Sequence, residues 1–295
     1  GVVSDCVVQS GVVESDGGIN SIRAGGICGT NSGELSGSFS NGASVTVSND
    51  SASAYAGGIL GYSTASLEMN AAVNTGNVSS DSYSGGLVGY GDDVTVTDSY
   101  NTGNVSSDSY SGGLVGYGSG TITVTDSYNT GNVSFSFSSS FYCYSGGLVG
   151  YGDGDVTVSN SYNTGNVSSA AHSSSCSGGL VGYGFGDVTV SSSYNTGNVS
   201  SPSDFDSYSG GLVGYGRSTV TVSNSYNTGN VSSPSSDDDS YSGGLVGDWR
   251  DTVTVSNSYA RRGYRSSASG TSGSLKTEAE LRERATFTNW DFSEV

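Results

Sequence analysis

Few side chains in this sequence could do chemistry, and His172 is the only histidine among 295 residues. The sequence therefore lacks a zinc site of histidines and cysteines at ligand spacing, and it lacks a His-Glu-X-X-His helix. A Ser-His-Asp triad would have to recruit His172 from a serine-rich stretch, with no glycine-flanked nucleophile elbow nearby. We interpret His172 as a solvated loop residue and expect no enzymatic activity.

Two short acidic stretches are the candidate cation sites, GDGD from Gly152 and DDD from Asp237. Carboxylate oxygens suit calcium, so weak calcium binding stays open for both stretches. Neither stretch matches the twelve-residue calcium loop or a Gly-Gly-X-Gly-X-Asp repeat. We interpret them as solvated turns and expect no cofactor.

A repeated phrase, Gly-Gly-(Leu/Ile)-X-Gly, determines where all these residues lie. It begins at Gly25, Gly57, Gly85, Gly112, Gly146, Gly178, Gly210 and Gly243, at intervals of 27 to 34 residues. A period in this range is typical of repeat architectures, in which each copy is one structural unit. Composition alone, with 33% apolar residues and 48 glycines, would suggest disorder, but a disordered chain does not keep a fixed order of residues.

The repeat from Gly85 to Ser111 shows how one copy should fold. GGLVGYG is a short apolar run, VTVTDSY alternates strictly, and NTGNVSS is a short extended segment around Val105. This pattern predicts three short strands per repeat with tight corners. Because one unit cannot bury its few apolar residues alone, we expect an all-β fold, a parallel β-solenoid of about eight rungs with inward Leu, Val and Tyr columns.

The two ends differ from the repeats. We assign residues 1–259 to the solenoid and residues 260–295 to a basic linker, a short helix and an aromatic cap. Thr277 and Glu280 have capping-box spacing, which predicts a helix over about residues 278–285. Phe287, Trp290 and Phe292 would then cover the edges of the last rung, whereas the apolar start GVVSDCVVQSGVVES has no such cap and invites end-to-end self-association.

The phrase Gly-Gly-Leu-Val-Gly, preceded by Tyr-Asn-Thr-Gly-Asn-Val, resembles the GLUG repeat of bacterial surface proteins over roughly residues 20–259. That repeat occurs in adhesin-like proteins and beside some immunoglobulin A-cleaving metallopeptidases. The closing ATFTNWDFSEV also resembles the Phe-X-X-Trp-Asp-Phe segment that often follows such arrays. The resemblance implies a secreted or cell-surface stalk, and it does not imply one ligand.

Stacked rungs would bring equivalent tyrosines into columns. One column comprises Tyr100, Tyr128, Tyr162, Tyr194, Tyr226 and Tyr259, and a second comprises Tyr55, Tyr83, Tyr110, Tyr144, Tyr208 and Tyr241. We interpret both as in-register aromatic stacking that stabilises the sheets. A carbohydrate-binding aromatic platform is the alternative.

Asparagine supplies formal N-glycosylation acceptors, six in Asn-Val-Ser and one in Asn-Asp-Ser. They are Asn49, Asn77, Asn104, Asn132, Asn166, Asn198 and Asn230. If Val105 points inward, Asn104 points outward, but acceptors about 4.8 Å apart on successive rungs leave no width for neighbouring glycans. We favour a ladder of side-chain amides hydrogen-bonded along the axis, with sparse glycans as the alternative.

A Thr-X-(Thr/Ser) column should also face outward. Its first positions are Thr95, Thr123, Thr157, Thr189, Thr221 and Thr254. Threonine arrays on a flat solenoid face resemble those of ice-binding proteins, yet threonine on an exposed strand is also ordinary β-propensity. Four of the six second positions are serine, which lacks the methyl group.

Cysteine gives a hint of compartment. Cys143 and Cys176 precede the Gly-Gly pairs of adjacent rungs, offset by one position, so a disulfide could join two long loops. Cys6 and Cys28 are a second candidate pair, although Cys28 occupies a Leu-Val-type position where a buried thiol is the alternative. Four cysteines are compatible with an oxidising, extracellular location.

Charge and loop variation complete the interpretation. The net charge is −18, and six of the nine basic residues follow residue 259, which disfavours a nucleic-acid partner. No apolar segment approaches the about 20 residues of a membrane-spanning helix, so we expect no membrane insertion. The length of the repeat varies only between Asn-Val-Ser and Ser-Gly-Gly. We name these variable segments the loop row; they include FSFSSSFYCY at Phe135, SAAHSSSC at Ser169 and SPSSDDDSY at Ser233.

We therefore expect a non-catalytic extracellular structural protein, a cell-surface stalk or adhesin, or a filament subunit that assembles end to end. A binding module is the alternative, with surface glycans bound by the loop row or ice bound by the threonine face.

Overall fold

The computed structural model describes residues 2–17, 20–49, 52–135, 142–234, 240–261 and 274–276. Within these residues the chain forms strands and no helix, coiled into a parallel β-solenoid of about seven turns. The predicted all-β parallel solenoid is confirmed. The predicted helix, the cap residues Phe287, Trp290 and Phe292, and the acidic run at Asp237 lie outside the described residues.

Each turn passes through four parallel sheets, which we name I to IV. Sheet I comprises β1 (Val2–Asp16), β4 (Glu34–Ser48), β8 (Val73–Asn74), β9 (Val78–Ser80), β13 (Tyr100–Asn101), β14 (Val105–Ser107), β18 (Tyr128–Asn129), β19 (Val133–Phe135), β23 (Tyr162–Asn163), β24 (Val167–Ser168), β28 (Tyr194–Asn195), β29 (Val199–Ser200), β33 (Tyr226–Asn227), β34 (Val231–Ser232), β38 (Tyr259–Arg261) and β39 (Ser274–Lys276). Sheet II comprises β2 (Ile22–Gly25), β5 (Ala54–Gly57), β10 (Tyr83–Gly85), β15 (Tyr110–Gly112), β20 (Tyr142–Gly146), β25 (Ser174–Gly178), β30 (Asp206–Gly210) and β35 (Ser240–Gly243).

Sheet III comprises β3 (Cys28–Asn31), β6 (Leu60–Ser63), β11 (Val88–Gly91), β16 (Val115–Gly118), β21 (Val149–Gly152), β26 (Val181–Gly184), β31 (Val213–Gly216) and β36 (Val246–Trp249). Sheet IV comprises β7 (Leu67–Asn70), β12 (Val94–Thr97), β17 (Ile122–Thr125), β22 (Val156–Ser159), β27 (Val188–Ser191), β32 (Val220–Ser223) and β37 (Val253–Ser256). One repeat therefore contributes one strand each to sheets II, III and IV and two short strands to sheet I.

The expectation of three strands per repeat is wrong, because the chain turns more sharply than the apolar pattern indicates. GGLVGYG does not form one strand: β10 ends at Gly85 and β11 begins at Val88. At Gly85 a Cβ would lie 1.8 Å from the carbonyl oxygen of Val88, so only glycine lets the backbone fold back this tightly.

A second corner separates sheet IV from sheet I, and it uses a left-handed residue. The residue after each strand of sheet IV has a positive φ, between 42° and 51°, in Ala71, Asp98, Asp126, Asn160, Ser192, Asn224 and Asn257. Asparagine and aspartate tolerate this conformation better than other residues with a Cβ. The prevalence of Asp and Asn at this position therefore follows from the backbone of the corner, with Ala71 and Ser192 as the exceptions.

The core is a continuous column of aliphatic side chains along the axis. The leucine of each Gly-Gly-Leu phrase is fully buried, and the valines of sheets III and IV join it in one buried cluster, except in the last strand of sheet IV, where Val253 and Val255 are partly buried and pack against the cluster. The inward orientation predicted for Leu and Val is confirmed. The expectation of inward tyrosines is wrong, because the column tyrosines are half-buried on the outer surface, and only Tyr259 is buried.

A buried asparagine ladder runs beside this core. It is formed by the asparagine that follows each column tyrosine of sheet I, together with its equivalents in the earlier turns: Asn41, Asn74, Asn101, Asn129, Asn163, Asn195 and Asn227. The Nδ2 of each donates to the Oδ1 of the next at 2.7–2.9 Å. The same Nδ2 donates to the carbonyl two residues later, for example from Asn163 to Gly165 at 2.7 Å.

This ladder satisfies both amide protons of each side chain from Asn41 to Asn195 inside the protein, which removes the penalty of burying them. It also contributes to the need for the second glycine of each Gly-Gly pair. At Gly113 a Cβ would lie 1.9 Å from the carbonyl oxygen of Gly147 and 2.5 Å from Cγ of Asn129, so the backbone of the next turn and the ladder amide both exclude a side chain. The ladder ends within the chain, since Val8 is in register with Asn41 and Ala260 with Asn227.

Removal of one ladder amide should destabilise the solenoid far more than removal of a surface amide. We expect Asn163→Ala to lower the free energy of unfolding by roughly 2–5 kcal/mol, because Asn129 Nδ2 and Asn195 Oδ1 lose buried partners. The matched control Asn166→Ala removes an exposed hydrogen bond to the backbone nitrogen of Asn198 and should cost about 1 kcal/mol or less. Urea unfolding of both variants measures the difference, and equal costs would contradict the role of the ladder.

Candidate functional site

The first predicted tyrosine column forms a regular stack on the outer face of sheet I. Neighbouring rings from Tyr100 to Tyr226 have centroids 4.8–4.9 Å apart and interplanar angles of 1–5°. The spacing equals the distance between strands, so each ring lies directly over the one below. Both faces of every interior ring are therefore covered by another ring.

The second predicted column lies on sheet II and contacts a third tyrosine column on sheet III, which the sequence analysis did not single out. The third column is Tyr62, Tyr90, Tyr117, Tyr151, Tyr183 and Tyr215, with ring centroids 4.7–5.2 Å apart. Rings of the two columns meet edge to face at 5.0–6.2 Å, as between Tyr83 and Tyr90. The recurrence of Tyr in every Gly-Tyr-Gly could have revealed it.

Arg23 lies at the N-terminal end of these two columns. It is in register with Tyr55, and its guanidinium carbon lies 4.1 Å from the ring centroid of Tyr62 and 5.8 Å from that of Tyr55. A cation over the ring face is an attractive interaction with the aromatic quadrupole. Arg23 thus occupies the ring face at which the stack would otherwise begin.

These contacts bear on the carbohydrate-platform alternative. A sugar binds an aromatic ring through the ring face, yet most ring faces in these columns are covered by neighbouring rings or, at Tyr62, by Arg23. The exception is the interruption of the second column at Cys176, which lies between Tyr144 and Tyr208. Burial also raises the pKa of Tyr83 to about 12, so its hydroxyl stays protonated at physiological pH. The geometry favours the stacking interpretation for these columns.

The threonine positions form two in-register columns on sheet IV. Thr95, Thr123, Thr157, Thr189, Thr221 and Thr254 pair directly from strand to strand. Thr97 and Thr125 continue into Ser159, Ser191, Ser223 and Ser256 in the neighbouring column. The sheet thus presents a regular array of hydroxyl-bearing side chains to solvent over six turns.

The Asn-Val-Ser asparagines differ from the predicted amide ladder. Asn104 is exposed and Val105 is buried, as the sequence indicated. The Oδ1 of Asn104 accepts a hydrogen bond from the backbone nitrogen of Asn132 at 3.0 Å, and the same bond recurs from Asn77 to Asn230. The amide-to-amide prediction is wrong for these residues, because each Oδ1 accepts from a backbone nitrogen of the next turn and not from another side-chain amide.

Asn49 differs from the other formal acceptors because it is buried. Its Nδ2 donates to the carbonyl of Asn20 at 2.7 Å, and its Oδ1 accepts from the backbone nitrogen of Ala52 at 3.2 Å. The side chain holds a corner of the first turns together. Glycosylation at Asn49 would require these contacts to break.

The disulfide expected between Cys143 and Cys176 is absent, and all four cysteines are free thiols in the structure. Cys143 is in register with Ser175, whereas Cys176 is in register with Tyr144. Because successive side chains point to opposite faces of a strand, the two thiols lie on opposite faces and their Cβ atoms point apart. Cys176 replaces a tyrosine in the second column.

Cys6 and Cys28 are also unpaired with each other and half-buried. Cys6 Sγ donates to the carbonyl of Ser4 at 3.3 Å, and Cys28 Sγ donates to that of Thr30 at 3.1 Å. Both pack against the aliphatic core but stay half-buried, so Cys28 is less enclosed than the buried-thiol alternative predicted.

The loop row lies at the junction of sheets I and II, and two of its loops are bonded to each other. His172 Nδ1 lies 2.6 Å from Asp204 Oδ2 on the next turn, although both side chains are more than half exposed. Ser174 Oγ donates to Asp206 Oδ2 at 3.1 Å. His172 is thus a surface residue, as predicted, but it pairs with a carboxylate that the sequence analysis did not assign to it.

Exposed aromatic side chains and a shallow depression mark the same region. Tyr142 is 55% exposed and Phe205 is 50% exposed, in contrast to the half-buried column tyrosines. The depression is lined by Ala170, Ala171, His172, Pro202, Ser203 and Asp204. The loop row is therefore the surface on which the residue types differ from one turn to the next.

An acidic pair lies in the earlier part of the loop row. Burial, with the carboxylate of Asp81 as a second cause, raises the pKa of Asp108 to about 6. Asp81 Oδ2 accepts a hydrogen bond from the backbone nitrogen of Asn49 at 2.6 Å.

Within the described part of the chain, no three His, Cys, Asp or Glu side chains converge as metal ligands, and GDGD at Gly152 forms part of a corner. The same part of the chain holds no helix with the length and apolarity to cross a membrane. Comparisons with protein-family models, with curated proteins and with solved structures gave no match to this chain.

The thiols provide a test of the cysteine geometry. Burial raises the pKa of Cys143 to about 12 and that of Cys176 well above its ordinary value, which suppresses the reactive thiolate. We expect a thiol reagent to modify at most Cys6 and Cys28 in the native protein and all four cysteines in urea. A Cys143→Ser, Cys176→Ser double variant should leave the native count unchanged. If only two of the four cysteines of the unaltered protein reacted in urea, the disulfide hypothesis would be restored.

Asp108 should make stability depend on pH. The pKa of Asp108 is about 6 in the folded protein and about 3.9 in the unfolded chain. The folded state therefore binds the proton more tightly, so the free energy of unfolding is highest below about pH 3.9 and falls as the pH rises through 6. We expect Asp108→Asn to raise the melting temperature at pH 7 and to have little effect near the unfolded pKa. Ser109→Asn, a neighbouring change without a titrating group, should give a pH-independent effect. The same shift at all pH values in both variants would contradict this assignment.

Proposed function

We propose that this chain is a non-catalytic structural rod, an extracellular stalk that holds the loop row away from a cell surface. The observation that carries the proposal is the unbroken asparagine ladder, which runs through seven turns in parallel with the stacked tyrosines. Interactions that repeat along one axis resist both bending and slippage of register. The likeness of the repeated phrase to the GLUG repeat supports the surface location.

The even distribution of side chains also supports a scaffold role. Sheets I, II, III and IV present nearly the same residues on each turn, whereas the loop row varies in length and sequence. Such a division suits a rod with a uniform shaft and individual loops on one edge. Sparse N-linked glycans at the exposed Asn-Val-Ser column are compatible with this role.

End-to-end assembly into a filament is the extended form of the proposal. The outer edge of β1 supports it, since this fifteen-residue strand pairs with β4 and exposes Val7 and Val12. Irregular register between Ser4 and Cys6 and between Val8 and Gly11 limits how another strand could pair there. Electron microscopy of native material separates the forms, with continuous fibres for a filament and short isolated rods for a stalk.

A spin-label distance tests the rod itself. Ser79 and Ser232 lie in one outward column of sheet I, five turns apart, so labels there should be separated by about 24 Å. We expect a narrow distance distribution after Ser79→Cys and Ser232→Cys, with Cys6 and Cys28 replaced by serine. The Asn163→Ala variant should broaden it. A broad distribution in the unaltered ladder would overturn the rigid-rod proposal.

Ice binding by sheet IV is the second candidate, favoured by the in-register threonine columns. If it is correct, the protein should show thermal hysteresis that is lost on Thr157→Tyr with Thr189→Tyr. The matched control is Thr164→Tyr with Thr196→Tyr, which alters exposed threonines of the Asn-Thr-Gly corners. Absence of hysteresis in the unaltered protein would eliminate this candidate.

A further inference from the structure

The depression in the loop row is built by two loops that stack in register. Ala171 pairs with Ser203 across adjacent turns, and the backbone nitrogen of Ala171 donates to the carbonyl of Pro202 at 3.2 Å. Ser175 Oγ also donates to the Pro202 carbonyl at 3.2 Å. The walls are therefore fixed by hydrogen bonds between the loops.

The lining combines an apolar patch with a polar rim. Ala170, Ala171 and Pro202 contribute methyl and ring carbons, whereas His172 and Asp204 contribute an imidazole and a carboxylate held 2.6 Å apart. Asp204 keeps a second carboxylate oxygen that can accept a hydroxyl hydrogen. A ligand that fits needs one apolar face and hydroxyl groups along its edge.

Phe205 adds an aromatic ring beside the rim. Its centroid lies 6.3 Å from that of His172 in an edge-to-face arrangement, and half of its surface is exposed. An exposed aromatic surface can pack against the C–H face of a sugar ring.

Charge narrows the class of sugar. Asp204 and Asp206 place two carboxylates on the same loop, and the whole chain carries a net charge of −18. Carboxylate, sulfate or phosphate groups on a glycan would be repelled at such a rim. A neutral sugar meets no such penalty and can donate hydroxyl hydrogens to a carboxylate acceptor.

We propose that the depression between residues 169–174 and 201–206 binds a neutral pyranose unit of a glycan, with Pro202 and Phe205 against its apolar face and Asp204 accepting its hydroxyls. His172 orients Asp204 through the hydrogen bond between Nδ1 and Oδ2 across the two turns. The site adds a binding activity to the proposed rod and requires only that the loops stack as described, not that the rod be a surface stalk.

The only histidine in the chain makes the test direct, because the imidazole signals of His172 in a proton NMR spectrum need no assignment. The probes are glucose, galactose, mannose and N-acetylglucosamine, with N-acetylneuraminic acid as the anionic comparison. We expect a saturable shift of the His172 signals with at least one neutral sugar and none with the anionic one. No saturable shift with any neutral sugar at high millimolar concentration would overturn the proposal, as would preferential binding of the anionic sugar.

Variants then assign the contacts. We expect Asp204→Asn and Phe205→Ala each to weaken binding about tenfold or more, which is the cost of losing a charge-assisted hydrogen bond or an aromatic contact. Phe205→Trp should retain binding. The matched control is Phe185→Ala, which removes an exposed phenylalanine on another edge, where Arg217 lies 4.2 Å over its ring. Equal weakening by Phe185→Ala would contradict the site.

The spin-label distance from Ser79 to Ser232, measured on the same variants, separates this proposal from that of the rod. A narrow distance distribution without sugar binding would refute the site and leave the rod intact. Sugar binding with a broad distribution would refute the rod and leave the site.

Discussion

The buried asparagine ladder is the interaction on which the rest of the structure depends. Each amide is satisfied only when the next turn brings its own asparagine to the same height. A slip of one residue would move every amide to the outer face and place a side chain of different chemistry in the ladder. Because a buried amide without partners costs free energy, the ladder fixes the register of all four sheets at once.

The surface columns follow from that register. Once turns repeat at the strand spacing, identical outward residues must lie over one another, and the tyrosines of sheets I, II and III stack whether or not a ligand is present. Stacking then covers the ring faces that a sugar would need. The most aromatic surface of the molecule is thus better suited to stiffness than to recognition.

Recognition falls to the one edge that the ladders do not constrain. Residues in the loop row can vary in number because they neither pair in the asparagine ladder nor belong to the continuous aliphatic cluster. This freedom allows His172, Asp204 and Phe205 to come together on two adjacent turns. The four sheets thus supply a uniform rigid rod, and the variable loop row along one edge supplies the proposed binding site.

The sequence by itself determined the repeat, the parallel solenoid, the inward valines and the outward Asn104, because periodicity and strict alternation report which residues are equivalent and which share a face. Only the tertiary structure decided which asparagine is buried, since Asn101 and Asn104 recur with the same period. It also decided that the chain folds back at Gly85 and that Cys143 and Cys176 lie on opposite faces. These outcomes depend on which backbone atoms approach each residue from neighbouring turns, and a repeat pattern does not contain that information.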